Sequence, residues 1–204
     1  MRARYIAGRF PAEKIVVKPN FTRDTMPGSG SGDYFLFVGR LSPEKGLDIL
    51  LQAWRAAGSS RKLIILGTGP EEERLRAQSA DLDNVHFLGQ QPREGVERAM
   101  GEAAALLLPS IWHEPFGLAV IEAYAKGTPV IATNLGGLSS LIHPGRTGYL
   151  FERGDVKTLQ DLLTGFVSQP SLRQGARQCF EERYTPARNY EMLAAIYRDS
   201  ILPA

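Results

Sequence analysis

The sequence predicts an α/β fold: a Rossmann-like, doubly wound parallel sheet with helices after it. Three observations predict it. From residue 34 onward, short apolar runs alternate with helix-periodic segments at the spacing of βαβ units. The runs are apolar on both sides, as a parallel sheet covered on both faces requires. The first three runs end at Gly39, Gly67 and Gly89, and right-handed crossovers between such strands generate an open sheet.

Residues 1–33 read as a lead-in. Within it, Ile15-Val16-Val17 is a candidate strand stopped by Pro19, and Met26-Pro-Gly-Ser-Gly-Ser-Gly32 has the composition of a flexible linker. The main unit spans 34–184. Tyr34–Val38 is its first strand, followed by a helix with Leu47, Leu50, Leu51 and Trp54 on one face. Lys62–Leu66 is the second strand. The helix near Pro70 carries Glu71, Glu72 and Glu73 in its first turn, where the helix dipole favours negative charge. Val85–Leu88, Ala105–Leu108, Pro129–Ala132 and Gly148–Phe151 complete the strands, with helices near 93–102 and 117–126. Beyond 154 the pattern is all-helical. Asp155 is a candidate N-cap for a helix with Val156, Leu159, Leu163 and Phe166 inward, and Pro170 is expected to end it. A second helix covers 171–183. Thr185-Pro186 opens the last segment, 185–204, with Tyr190, Leu193, Tyr197 and Ile201 at helical spacing.

The composition excludes several classes. With 24 Lys+Arg against 22 Asp+Glu among 204 residues, the balance is too even to suggest a nucleic-acid partner. The single cysteine, Cys179, forms neither an internal disulfide nor a zinc cluster and reads as a buried apolar residue. No apolar run approaches the ~20 residues needed to span a bilayer, and no apolar segment follows the basic N-terminus as a signal peptide requires. A cytoplasmic location is expected, peripheral at a membrane when complete.

In an open parallel sheet the ligand lies at the carboxyl ends of the strands, so the loops there carry the functional reading. After the first strand come Gly39, Arg40, Lys45 and Gly46. Two cations beside a helix N-terminus suit an anion such as a diphosphate; each cation about 4 Å from a phosphate charge contributes about 4 kcal/mol at an effective dielectric of ~20, before desolvation. The alternative is a solvated loop with Arg40 paired to Glu44. After the second strand, Gly67-Thr-Gly69 resembles a dinucleotide fingerprint, but Glu72 stands at the third glycine and three carboxylates would repel a pyrophosphate; the plain reading is a turn needing small residues.

After the fourth strand, Glu114 can project into a cleft, and Phe116, Gly117 and Leu118 open a helix whose free amides can take a phosphate or sugar hydroxyls. Glu122 lies one to two turns further and suits a ribose diol; the alternative is a surface carboxylate. Gly136-Gly137 is either a close approach of backbone to ligand or loop, or an ordinary turn. His86 and His143 read as structural, whereas His113 is either a cleft or a rim residue. There is no nucleophile elbow and no metal-ligand spacing.

Taken together, Phe37–Gly46, Leu66–Pro70, Val85–Gly89, Pro109–Leu118 with Glu122, Gly127–Ala132, Gly136-Gly137 and Gly145–Leu150 resemble the family 4 glycosyltransferases of GT-B fold in order and spacing, over about residues 10–200. The resemblance implies one half of a GT-B fold, the half that binds a nucleotide-diphospho-sugar. It implies that Arg40 and Lys45 bind the diphosphate and that Gly39 lies against the donor. Glu114 would face the donor sugar and Glu122 the ribose. The backbone of Phe116, Gly117, Leu118 and Ala119 would contact sugar and β-phosphate, and the base would be read near Leu88-Gly89-Gln90. It implies no metal and no other cofactor. Ser139 and Ser140 stand where the family often has a glutamate, and no role is carried onto them. The acceptor, whether glycan, lipid or small molecule, would belong to a separate N-terminal domain or subunit, against which the last helix packs. The leading expectation is therefore retaining hexosyl transfer, with Arg40, Lys45 and Glu114 as its catalytic groups. The alternative is a donor-binding module without turnover. An epimerase is disfavoured by the E-x7-E context.

Overall fold

The computed structural model describes residues 2–201, so Met1 of the lead-in and the last three residues of the 185–204 segment lie outside it. After α1 (Arg2–Ala7) and a 3-10 turn at Ala12–Lys14, the chain runs without regular structure to β1 (Tyr34–Val38). There follow α2 (Leu47–Ala57), β2 (Lys62–Leu66), α3 (Glu72–Gln78), β3 (Val85–Phe87) and α4 (Arg93–Glu102). Next come β4 (Ala105–Leu108), α5 (Leu118–Ala125), β5 (Val130–Thr133), α6 (Leu138–Leu141) and β6 (Gly148–Phe151). Three helices close the chain: α7 (Val156–Gly165), α8 (Pro170–Arg183) and α9 (Pro186–Ile201).

The six strands form one parallel sheet in the order β3-β2-β1-β4-β5-β6. This is the Rossmann-like, doubly wound arrangement the apolar runs predict. Alternate side chains of one strand feed two cores: Phe35 and Phe37 pack with Leu47, Leu50, Leu51, Trp54, Leu159 and Leu163 on one face. Leu36 packs with Met100, Val120, Ile121, Tyr124, Ala176 and Phe180 on the other. So α2 and α7 cover one face, and α4, α5 and α8 the other. Burying a side chain such as Leu50 contributes about 1.5–3 kcal/mol relative to leaving it in water.

Three expectations need correction. Ile15-Val16-Val17 forms no strand: no neighbouring strand pairs with it, its Ile15 amide closes the preceding 3-10 turn on Ala12 O at 3.3 Å, and Val16 and Val17 stand exposed. Pro170 does not end a helix but begins α8; α7 has already stopped at Gly165, and proline suits a helix's first turn because its missing N–H has no partner there anyway. Asp155 does cap α7, accepting from the Thr158 amide at 2.9 Å.

The third correction concerns the glycine- and serine-rich stretch, which is not a free tether. Its amides at Gly28, Gly30 and Gly32 donate to the carbonyls of Lys126 (3.0 Å), Gly101 (3.0 Å) and Glu102 (2.9 Å). Arg173 of α8 clamps it by donating to Gly28 O at 3.0 Å, Gly101 O at 2.9 Å and Ala103 O at 3.1 Å. A Cβ on Gly28 would lie 2.1 Å from the Gly101 oxygen. Here glycine serves close approach of backbone to backbone rather than chain freedom.

The last helix leaves Tyr190, Leu193 and Tyr197 exposed, so these three apolar positions are not buried by the described residues; the Ile201 side chain lies outside them. Cys179 is buried, and burial raises its thiol pKa. Among the described residues no helix is long and apolar enough to cross a membrane.

Candidate functional site

The strand order reverses between β1 and β4. From β1 the chain enters α2 on one face; from β4 it enters α5 on the other. The two exit loops diverge and leave a crevice at the carboxyl edge of the sheet.

Backbone contacts fix both loops. The Gly39 amide donates to Leu66 O (3.0 Å) and the Leu41 amide to Thr68 O (2.9 Å), while the Ile111 amide donates to Glu44 O (2.9 Å). Gly46 has a φ of 69°, and a Cβ there would lie 2.0 Å from Pro109 O. Only glycine fits both the dihedral and the space. The same economy explains Gly67 and Gly69: a Cβ would lie 1.9 Å from Gly39 O or 2.2 Å from Leu41 O. Those glycines admit the β1 exit loop, as the plain reading of that turn expects. Gly136-Gly137 admits the β4 exit loop, with the Gly137 amide donating to Glu114 O at 2.7 Å.

Between the two loops lies a cavity of about 510 Å³. Gly39, Arg40, Lys45, Glu114, Phe116, Gly117, Leu118 and Ala119 all line it. The Lys45 ammonium ion-pairs with Glu114 Oε1, and the Ser110 hydroxyl donates to the same oxygen at 3.3 Å. Lys45 keeps further N–H donors free, since an ammonium has three. Arg40 makes no side-chain hydrogen bond or ion pair among the described residues, so the Arg40–Glu44 pairing does not form. Glu44 instead accepts from the Ser42 hydroxyl at 2.6 Å. That hydrogen bond lowers its pKa, with Lys45 and Arg40 adding to the effect.

The α5 N-terminus completes the wall. No side chain caps it, and the amides of Gly117, Leu118 and Ala119 have no backbone acceptor among the described residues. Gly117 has a φ of 104°, which turns the chain sharply into the helix. Two cations, one carboxylate and an uncapped helix start thus share one cavity.

Three expected residues lie elsewhere. Glu122 is on the flank of α5 and lines a neighbouring cavity of about 200 Å³ with Arg23, Arg93, Glu97 and Lys126. Burial raises its pKa, and Glu97 adds to this while Arg93 opposes it. Leu88 and Gly89 follow β3, two strands from β1, and do not line the larger cavity. Leu88 is half exposed, and Gly89 O accepts from the Gly67 amide at 2.8 Å. His113 is exposed beside the site. Two polar cavity residues carried no assignment from the sequence. Ser110 is 3% exposed, and its signal was a lone hydroxyl just past a strand's carboxyl end. Asn20 lines the cavity from the lead-in, where no local pattern marks it. Among the described residues no cluster of three or more His, Cys, Asp or Glu could hold a metal ion.

Comparison with known proteins bears on this geometry. Residues 27–182 match the family described as "Glycosyl transferases group 1". A phosphatidyl-myo-inositol mannosyltransferase of Mycobacterium leprae is 36% identical over 148 residues, covering 70% of this chain and 39% of the relative. A D-inositol 3-phosphate glycosyltransferase of Acidothermus cellulolyticus is 34% identical over 190 residues, covering 83% of this chain and 42% of the relative. The chain therefore spans about two fifths of the length of these curated relatives. In fold it is similar to Anabaena Alr3699/HepE, solved in complex with UDP and glucose. The TM-score is 0.82 at 21% identity, covering 97% of this chain and 60% of the other.

Proposed function

The chain belongs to the group 1 glycosyl transferases, of the GT-B, family 4 type, and on that premise we propose that it is the donor-binding half of a retaining glycosyltransferase acting on a nucleotide-diphospho-sugar. The observation that carries this reading is the convergence of Arg40, Lys45, Glu114 and the uncapped α5 N-terminus on one cavity. A diphosphate needs that combination: fixed cations and backbone donors with little reorganisation.

In this reading the bond from the anomeric carbon to the diphosphate oxygen breaks, and its electron pair goes to the diphosphate. Arg40, Lys45 and the amides at Gly117–Ala119 stabilise the charge gathered there more than they stabilise the ground state. Glu114, held by Lys45 and Ser110, accepts from a hydroxyl of the sugar and orients the ring. The acceptor hydroxyl attacks from the face the diphosphate leaves, and its proton passes to a diphosphate oxygen. Glu122 and the Leu88-Gly89 turn are the proposed ribose and base contacts. They would meet a donor that extends from the cavity along the carboxyl edge.

A second reading is binding without turnover. Transfer requires donor and acceptor to be juxtaposed, and no acceptor contact is assigned to the described residues. Calorimetry with UDP, GDP and ADP, beside a turnover assay with their sugar conjugates, separates the two. Binding with transfer supports the enzyme, and binding without transfer supports the module. If none of the three binds, both readings fall.

A further inference from the structure

We infer that Asn20 is a donor-site residue that hydrogen-bonds the hydroxyls of the bound sugar, held at the cavity by Asn189 and Tyr184. This rests on the reading of the cavity as a nucleotide-sugar site.

Asn20 comes from the irregular lead-in, far in sequence from the exit loops, yet it lines the same cavity as Glu114 and Lys45. Its position is fixed on both sides. Before it, the Pro19 carbonyl accepts from the Asn189 carboxamide at 3.0 Å. After it, the Thr22 amide donates to the Tyr184 carbonyl at 3.2 Å. Both anchors are buried, Asn189 at 6% and Tyr184 at 1% exposure, so neither moves without disturbing the packing where α8 meets α9. Tyr184 also packs edge-on against Phe116 of the cavity wall, with ring centroids 6.2 Å apart. The lead-in and the β4 exit loop are thereby referenced to one residue, through its carbonyl and its ring.

The pinning leaves the Asn20 carboxamide itself unused: it makes no hydrogen bond among the described residues. Apart from Ser110, whose hydroxyl donates to Glu114, the cavity's other polar groups divide by chemistry. Arg40, Lys45 and the amides donate, matching phosphate oxygens; Glu114 accepts. An uncharged carboxamide does both, which matches a sugar hydroxyl, itself donor and acceptor. Asn20 therefore adds discrimination for the sugar rather than affinity for the diphosphate, and Asn189 acts as a positioning residue.

The test compares wild type, Asn20→Ala and Asn189→Ala by calorimetry. The ligands are whichever of UDP, GDP and ADP the wild-type chain binds and the tightest-binding of its glucose, galactose, mannose and N-acetylglucosamine conjugates. Asn20→Ala is expected to weaken the sugar conjugate about fivefold while the free diphosphate changes less than about twofold, the loss of one neutral hydrogen bond. Asn189→Ala is expected to shift the ratio of the two affinities in the same direction, which a merely structural loss would not do. Equal weakening of both ligands, or no change in either, overturns the inference. Arg40→Ala is the control. If it weakens the diphosphate while Asn20→Ala leaves the conjugate untouched, the inference alone fails. If the wild type binds no diphosphate, it falls together with the reading it rests on.

Discussion

At the scale of single residues, the cavity is set by which charges already have partners. Lys45 is shared with Glu114, whereas Arg40 makes no ion pair among the described residues. Arg40→Ala should therefore weaken a nucleoside diphosphate by about tenfold or more, the loss of a charge-assisted hydrogen bond, with little change in Tm, since it removes no hydrogen bond or ion pair among the described residues. Glu122 is the converse case. Burial holds its pKa above the ordinary 4.5, so between 4.5 and the raised value the folded state keeps a proton that the unfolded chain has released. The wild type thus loses stability as pH rises through that window. Glu122→Gln should be more stable than wild type at neutral pH, and the advantage should vanish below about pH 4.5 in a Tm-against-pH series. A carboxylate kept where it lowers stability fits the ribose role proposed for it. Arg40 and Glu114 were legible in the sequence because charge at a strand exit is a local pattern. Asn20 was not, because its relation to the cavity exists only once Pro19 is pinned by a residue at position 189.

At the scale of elements, the strands of the sheet and the longer helices were legible nearly to their ends, because burial on two faces leaves a clear period in β1 and α2; the short α1 and α6 left no such period and were not anticipated. What misled was local chemistry with two meanings. Pro170 can stop a helix or start one, and spacing alone does not choose. Ile15-Val16-Val17 has the residues of a strand but no neighbour to pair with. The glycines divide along the same line. Those at Gly46, Gly67 and Gly136 are conditions for the exit loops to touch. Gly67→Ala would put a methyl 1.9 Å from the Gly39 oxygen at a φ of 128°. It should cost about 1–3 kcal/mol in denaturant melts. Because the loop it displaces carries Arg40, diphosphate affinity should fall too. Gly58→Ala meets nothing within 4 Å, though its φ of 55° adds strain. It should lower stability less and leave binding unchanged.

At the scale of the whole molecule, residues 19–32 of the lead-in are tied to the helices and strands that follow. Arg173 and Arg177 of α8 reach across to them, Arg177 donating to Thr25 O at 2.9 Å and to Ala125 O at 2.6 Å. Arg173→Ala removes the donor to four carbonyls and should destabilise by about 1–3 kcal/mol, whereas Lys157→Ala, on an exposed pair, should fall within about 0.5 kcal/mol of wild type. Composition alone reads residues 26–32 as a tether, because a clamp formed by residues more than a hundred positions away leaves no mark in the local sequence. The exposed Tyr190, Leu193 and Tyr197 of α9 belong to the same scale: their spacing announced an apolar face, not what covers it.

In the proposed function, one cavity at the switch between β1 and β4 takes the diphosphate of a nucleotide sugar. A crystal structure of the chain with a bound nucleoside diphosphate tests it most directly. Phosphate oxygens are expected within hydrogen-bond distance of the Arg40 guanidinium, the Lys45 ammonium and the amides at the start of α5. A diphosphate bound instead at the Gly67–Gly69 turn, or in the smaller cavity beside Glu97, would contradict it.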